Sequence, residues 1–202
     1  MEFYVNSQKI DITIENEKTV GDVLKAFETE FEKNGATTVG ITLNGKTVDA
    51  SSFDEINSAP LCEDTKLELE ILTQNQIVQE LLDEAGAFRA LSEKLDELPA
   101  DFQSGRDKVA NLVIATLAEV VDRFCQSIKR TAFFPQKFEA FQSTQIDGKT
   151  IADFFQDFTP IFSDFEQAIS SGDTVLLGDL AEYEIRPRIE SIADAVTKTV
   201  NF

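Results

Sequence analysis

Paired carboxylates are the one route to enzymatic chemistry that this sequence leaves open. Asp179 and Glu184 lie either side of Tyr183, and Arg188 follows one helical turn after Glu184. Glu184 falls on the same helical side as Leu177, Leu180 and Arg188, and burial there would raise its pKa and fit it for proton transfer. The same spacing is that of an ordinary i,i+4 ion pair, worth a few tenths of a kcal/mol. Asp179, Tyr183, Glu184 and Arg188 therefore form a candidate polar site with a structural alternative. No histidine occurs anywhere, which removes the commonest neutral-pH base, the Ser-His and Cys-His nucleophile pairs and every histidine-containing zinc site. Two cysteines cannot build a four-cysteine metal site, and the Walker and GxGxxG patterns are absent. Asp147-Gly148-Lys149 lacks the spaced acids of an EF-hand and reads as a turn. No catalytic residue, metal ligand or cofactor is assigned.

A second candidate is a docking patch. From Arg123 to Phe138 there is no acid, in a chain where acids outnumber bases 37 to 18. Arg123, Lys129, Arg130 and Lys137 are interleaved there with Phe133, Phe134 and Phe138. An exposed phenylalanine could anchor a partner while the bases steer an acidic one. Bases also favour a helix C-terminus, and phenylalanines beside a turn close the end of a bundle. On the N-terminal half, Tyr4 is the one aromatic anchor on an otherwise acidic outward face.

The formal charge is −19. Such a field repels phosphate backbones and anionic lipid, so nucleic acid and membrane surfaces are poor partners. The start MEFYVNSQKID has no basic or apolar leader region, and no run of about 18 apolar residues follows. A cytoplasmic protein is expected. Cys62 and Cys125 read as two buried free thiols.

The elements that must position these residues fall into two domains, 1–73 and 74–202, divided where the apolar period changes. In the first, Phe3 and Val5, then Ile10, Ile12 and Ile14, alternate as a hairpin with one buried face. Thr19 and Asp22 form a capping box ahead of Val20, Val23, Leu24, Phe27 and Phe31. Asn44-Gly45 suits a type I′ turn. Ser52 and Glu55 mark a short helical turn, and Leu67, Leu69 and Ile71 a last strand. That order, with TVGDVLKAF opening the helix and ITLNGKTVD forming the next hairpin, resembles the ubiquitin-like β-grasp fold. The resemblance implies protein recognition or small-protein carriage. The segment runs on through LELEILTQN into a helix with no free diglycine, which argues against a carrier.

In the second domain the apolar stripe Ile151, Phe154, Phe155, Phe158, Phe162, Phe165 and Ile169 marks a long helix. Its five phenylalanines need several partner helices, since each ring buries roughly 150 to 250 Å². Ile77 to Leu98 make a helix that Pro99 should stop, with a close backbone approach expected at Gly86. A second helix, 105–130, carries a stripe wide enough for two neighbours or a second copy. A short helix follows Pro135, Pro160 should kink the phenylalanine helix, and Pro187 the last one. The fold class is α+β: a β-grasp domain followed by an antiparallel bundle of about four helices. DTVLLGDLAEYEIRPRIE resembles segments of uncharacterised bacterial helical proteins.

These readings favour a non-enzymatic interaction protein, acting as adaptor, regulator or chaperone-like binder of a protein partner. A narrower version is a chaperone for secretion or flagellar export. The rival is a carboxylate-based enzyme or a bundle that binds a small ligand.

Overall fold

The computed structural model describes residues 1–200. By internal packing the chain divides into two units, Met1–Gln76 and Ile77–Phe202.

The first unit holds β1 (Glu2–Val5), β2 (Gln8–Ile10), α1 (Val20–Lys33), β3 (Ala36–Leu43), β4 (Lys46–Thr47), α2 (Phe53–Asn57) and β5 (Lys66–Thr73). The five strands form one mixed sheet in the order β2-β1-β5-β3-β4. β1 runs parallel to β5, and the other pairs are antiparallel. Alternation along β5 turns Leu67 and Leu69 inward, where they meet Phe3 and the α1 residues Val20, Val23 and Leu24. Phe3 stacks on Phe27 with ring centroids 4.2 Å apart.

Local chemistry sets the ends of these elements. Thr19 Oγ1 accepts from the Asp22 amide at 3.1 Å, and Asp22 returns the bond to the Thr19 amide at 3.0 Å. Replacing Thr19 with alanine removes half of that cap and is expected to destabilise the protein by about 1 kcal/mol. An unchanged urea midpoint would show that the cap contributes nothing. Asn44 and Gly45 both take positive φ, 49° and 79°, as a type I′ turn requires. Gly21 is needed for closeness instead: a Cβ there would lie 2.5 Å from the Asn57 carbonyl oxygen on α2.

Two expectations for this unit are corrected. β2 ends at Ile10, and only Ile12 of the three isoleucines packs on the core, while Ile10 and Ile14 are exposed. Three residues make too short a strand to carry the alternation further. Cys62 is exposed rather than buried, and Cys125 is half-buried.

The second unit is mostly helical: α3 (Gln74–Gln103), α4 (Asp107–Thr131), α5 (Glu139–Gln142), α6 (Ile151–Gln156), α7 (Phe158–Ser171), α8 (Thr174–Asp179) and α9 (Arg186–Thr199). A π-helical segment, Leu180–Ile185, joins α8 to α9. A small hairpin of β6 (Gln145–Ile146) and β7 (Lys149–Thr150) precedes α6, turning at Asp147 and Gly148, both at positive φ. Among the described residues, no helix is long and apolar enough to cross a membrane.

The expected four main helices are thus subdivided, and the prolines act differently from expectation. α3 continues past Pro99 to Gln103. So near the end the proline forfeits one ladder bond, and its ring is packed so tightly on Gly178 that a Cβ there would meet Pro99 Cγ at 2.9 Å. Asp101, 5% exposed, then accepts from Arg106 Nε at 2.7 Å across the turn into α4. Gly86 meets nothing within 4 Å of an added Cβ, so no backbone approaches it. The phenylalanine helix breaks at Asp157, before Pro160, which sits in the first turn of α7 where its missing amide matters least. Pro187 stands at the start of α9, directly after the π segment. The wider turn accommodates the clash a proline ring makes with the carbonyl four residues back.

Phenylalanines space the helices. Phe88 meets Phe124 edge-on at 5.4 Å, Phe124 meets Phe155 at 5.5 Å, and Phe155, Phe158 and Phe162 follow in a stacked run. Phe154, Phe158 and Phe165 are buried, whereas Phe155 and Phe162 are half-buried and Ile169 is exposed. The stripe is therefore incompletely covered.

Candidate functional site

The residues of the candidate polar site do not converge. Tyr183, in the π segment, is 63% exposed. A hydrogen bond to Glu182, and the charges of Glu182 and Asp179, raise its phenol pKa. Glu184 Oε2 accepts from Arg188 Nη1 at 2.6 Å as an i,i+4 pair, and the same nitrogen donates to the Glu184 carbonyl at 2.7 Å. Arg188 also lines a small polar pocket of about 230 Å³ with Lys149 and Ser191. Neither Tyr183 nor Glu184 reaches it. Glu184→Gln is expected to change stability by no more than about 0.5 kcal/mol. A larger shift of the thermal midpoint would restore the buried-contact reading.

The basic window is likewise dispersed. Arg130 Nη1 donates to both carboxylate oxygens of Glu80, at 2.9 and 3.0 Å. Phe134 and Phe138 are buried, as is Phe141, whereas Phe133 is 53% exposed. Arg123 and Lys129 are exposed on α4, and Lys137 is half-buried. In the first unit, Tyr4 is covered by the Lys66 ammonium, 4.5 Å above its ring.

Two features escaped the sequence reading. The first is Glu84, 5% exposed on α3. Its Oε1 accepts from Ser127 Oγ at 3.0 Å, while Oε2 has no partner. Burial, reinforced by the Glu80 charge, pushes its pKa up to about 7, against the Ser127 bond and the Arg123 and Arg130 charges that lower it. Glu84 falls in step with Ile77, Leu81 and Phe88, so an acid on an apolar stripe was the available signal. Glu84 lines neither the polar pocket at Arg188, nor the groove between α4 and α7, nor the cleft between α1 and β3. Among the described residues, no cluster of acids and cysteines could hold a metal ion.

The second is a groove of about 460 Å³ between α4 and α7. α4 carries two adjacent apolar stripes. Val113, Leu117, Val120 and Phe124 face the core and are buried. One position on, Ile114, Ala118, Val121 and Cys125 recur at intervals of four, three and four along one wall of the groove. Phe162, Phe165 and Ile169 of α7 form the opposite wall. Cys125 keeps its thiol pKa raised, chiefly by burial. Each wall also carries an acid, Asp122 on α4 and Glu166 on α7.

A cleft of about 500 Å³ in the first unit lies between α1 and β3, but it is more polar, and Glu28 on its wall is engaged by the Thr37 and Thr38 hydroxyls. The α4/α7 groove is the more apolar of the two and is the candidate site.

Residues 1–73 match the TP0873 N-terminal domain. An uncharacterized protein of Treponema pallidum (strain Nichols) is 25% identical over 198 residues, which cover 97% of this chain and 96% of that protein. No solved structure matches. Residues 79–195, which contain the whole groove, match the domain of unknown function DUF8042, and the chain belongs to that family.

Proposed function

We propose that the protein is a non-enzymatic cytoplasmic interaction module, in which a ubiquitin-like β-grasp unit is joined to a helical unit that docks a partner protein. The strand order β2-β1-β5-β3-β4, with β1 parallel to β5 and α1 packed on the core residues of the sheet, supports the β-grasp assignment. The observation that carries the docking role is the α4/α7 groove. It presents a second apolar stripe on α4 that α7 leaves partly open, with Ile114, Val121 and Cys125 half-buried and Ala118 exposed. Adaptor and export-chaperone roles both use such a surface. The enzyme reading lacks a comparable support, because both strongly shifted carboxyls are engaged structurally: Glu84 is buried against Ser127, and Asp49, lowered to about 2, is held by Ser51 and Ser52.

The test compares full-length bait with the Ala118→Arg variant in native lysate. Ala118 is exposed, so arginine there fills the groove without entering the core. A partner captured by the wild type and lost from the variant supports the reading. A partner retained equally by both contradicts it.

A further inference from the structure

Resting on the docking role just proposed, we infer that the groove's occupant is an amphipathic helix of a partner protein, with lysine or arginine on both flanks of its apolar stripe. The groove is built by two helices, and its α4 wall runs from Ile114 to Cys125, about 16 Å or three turns. Apolar side chains repeat along it at helical steps. That surface receives the ridge of a third helix better than an extended strand, whose side chains alternate with period two.

Charge selects the helix. Asp122 and Glu166 stand on opposite walls, so an occupant lying along the floor of Leu117 and Phe165 meets a carboxylate on each side. Asp122 accepts from Gln126 Nε2 at 2.8 Å, and neither acid is paired with a lysine or arginine among the described residues. The whole chain carries a charge of −19, which adds a long-range attraction for a basic segment and disfavours a second copy of this acidic chain.

The probe is a capped synthetic peptide of five helical turns, with leucine at i, i+4, i+7 and i+11 and flanking lysines. A control replaces the lysines with glutamates. Binding to the full-length protein is read by fluorescence anisotropy at low and physiological salt. The basic peptide is expected to bind at least about tenfold more tightly than the acidic one, and Ala118→Arg to abolish binding. Asp122→Lys with Glu166→Lys, both at exposed positions, is expected to reverse the preference while the circular dichroism spectrum stays native. Equal affinity for the two peptides, binding of neither, or a preference unmoved by the double variant overturns the inference. If a lysate partner is still lost from Ala118→Arg under any of those results, the docking role stands and only the basic helix falls.

Discussion

Phe158→Ala is expected to destabilise the helical unit by about 3–5 kcal/mol, the range for deleting a fully buried phenylalanine. Phe158 is 1% exposed and lies at the crossing of the ring run, 5.9 Å from Phe154, 5.5 Å from Phe155 and 5.2 Å from Phe162. Removing it takes away the area of one ring and the contacts that set the orientation of three others. It also lies in the first turn of α7, directly after the break at Asp157, so the vacated space cannot be closed by a continuous helix sliding inward. Urea unfolding followed by circular dichroism reads the loss. A loss below about 1 kcal/mol would mean that the rings do not form a packed core.

The second large effect depends on pH. Glu84 has an ordinary carboxyl pKa of 4.5 and is pushed up to about 7 in the fold, first by burial. The sign follows from the protonated acid being the form that the folded state prefers. Stability is full below pH 4.5, falls as pH rises through the window between the two values, and is lower by about 3 kcal/mol above it. Glu84→Gln keeps an oxygen for Ser127 and carries no charge to bury. The variant is expected to gain on the wild type progressively between pH 5 and 8, by up to about 3 kcal/mol at the upper end. Parallel stability profiles for the two proteins would show that Glu84 ionises without penalty.

Much of the fold was legible because it is written in short-range chemistry. Thr19 with Asp22, Thr150 with Asp153, Asn44-Gly45 and the left-handed Gly172 each specify an end or a turn from a few neighbouring residues. Thr73 and Gln76 form a further reciprocal cap at the start of α3 that the same rule would have found. Pro99 misled because the local cost of a proline is offset by its packing on Gly178, a contact between residues far apart in sequence. The division of the last helix into α8, a π turn and α9 left a trace only in the shift of apolar phase at Pro187.

The site was less legible than the fold. The excess width of the α4 stripe was visible, but which neighbour failed to cover it depended on the path of α7. The basic window stands out only by composition, whereas the i,i+4 spacing of Glu184 and Arg188 already pointed to the ion pair that forms. Arg130 turned to Glu80, and Glu184 to Arg188, because each had an opposite charge within reach. Composition cannot distinguish a satisfied ion pair from a free recognition group.

The two cysteines allow the most direct measurement of the central claim. Cys125 lines the groove and Cys62 is exposed in the other unit, so each protein molecule carries its own control. Alkylation of both thiols would be followed by mass spectrometry for the protein alone and in complex with a partner purified from lysate. The reaction would be run at alkaline pH, because burial raises the Cys125 thiol pKa. The account predicts that the partner slows Cys125 alkylation by about tenfold or more while Cys62 reacts as before. Equal Cys125 rates with and without bound partner would contradict it, because the partner would then be held somewhere other than the groove.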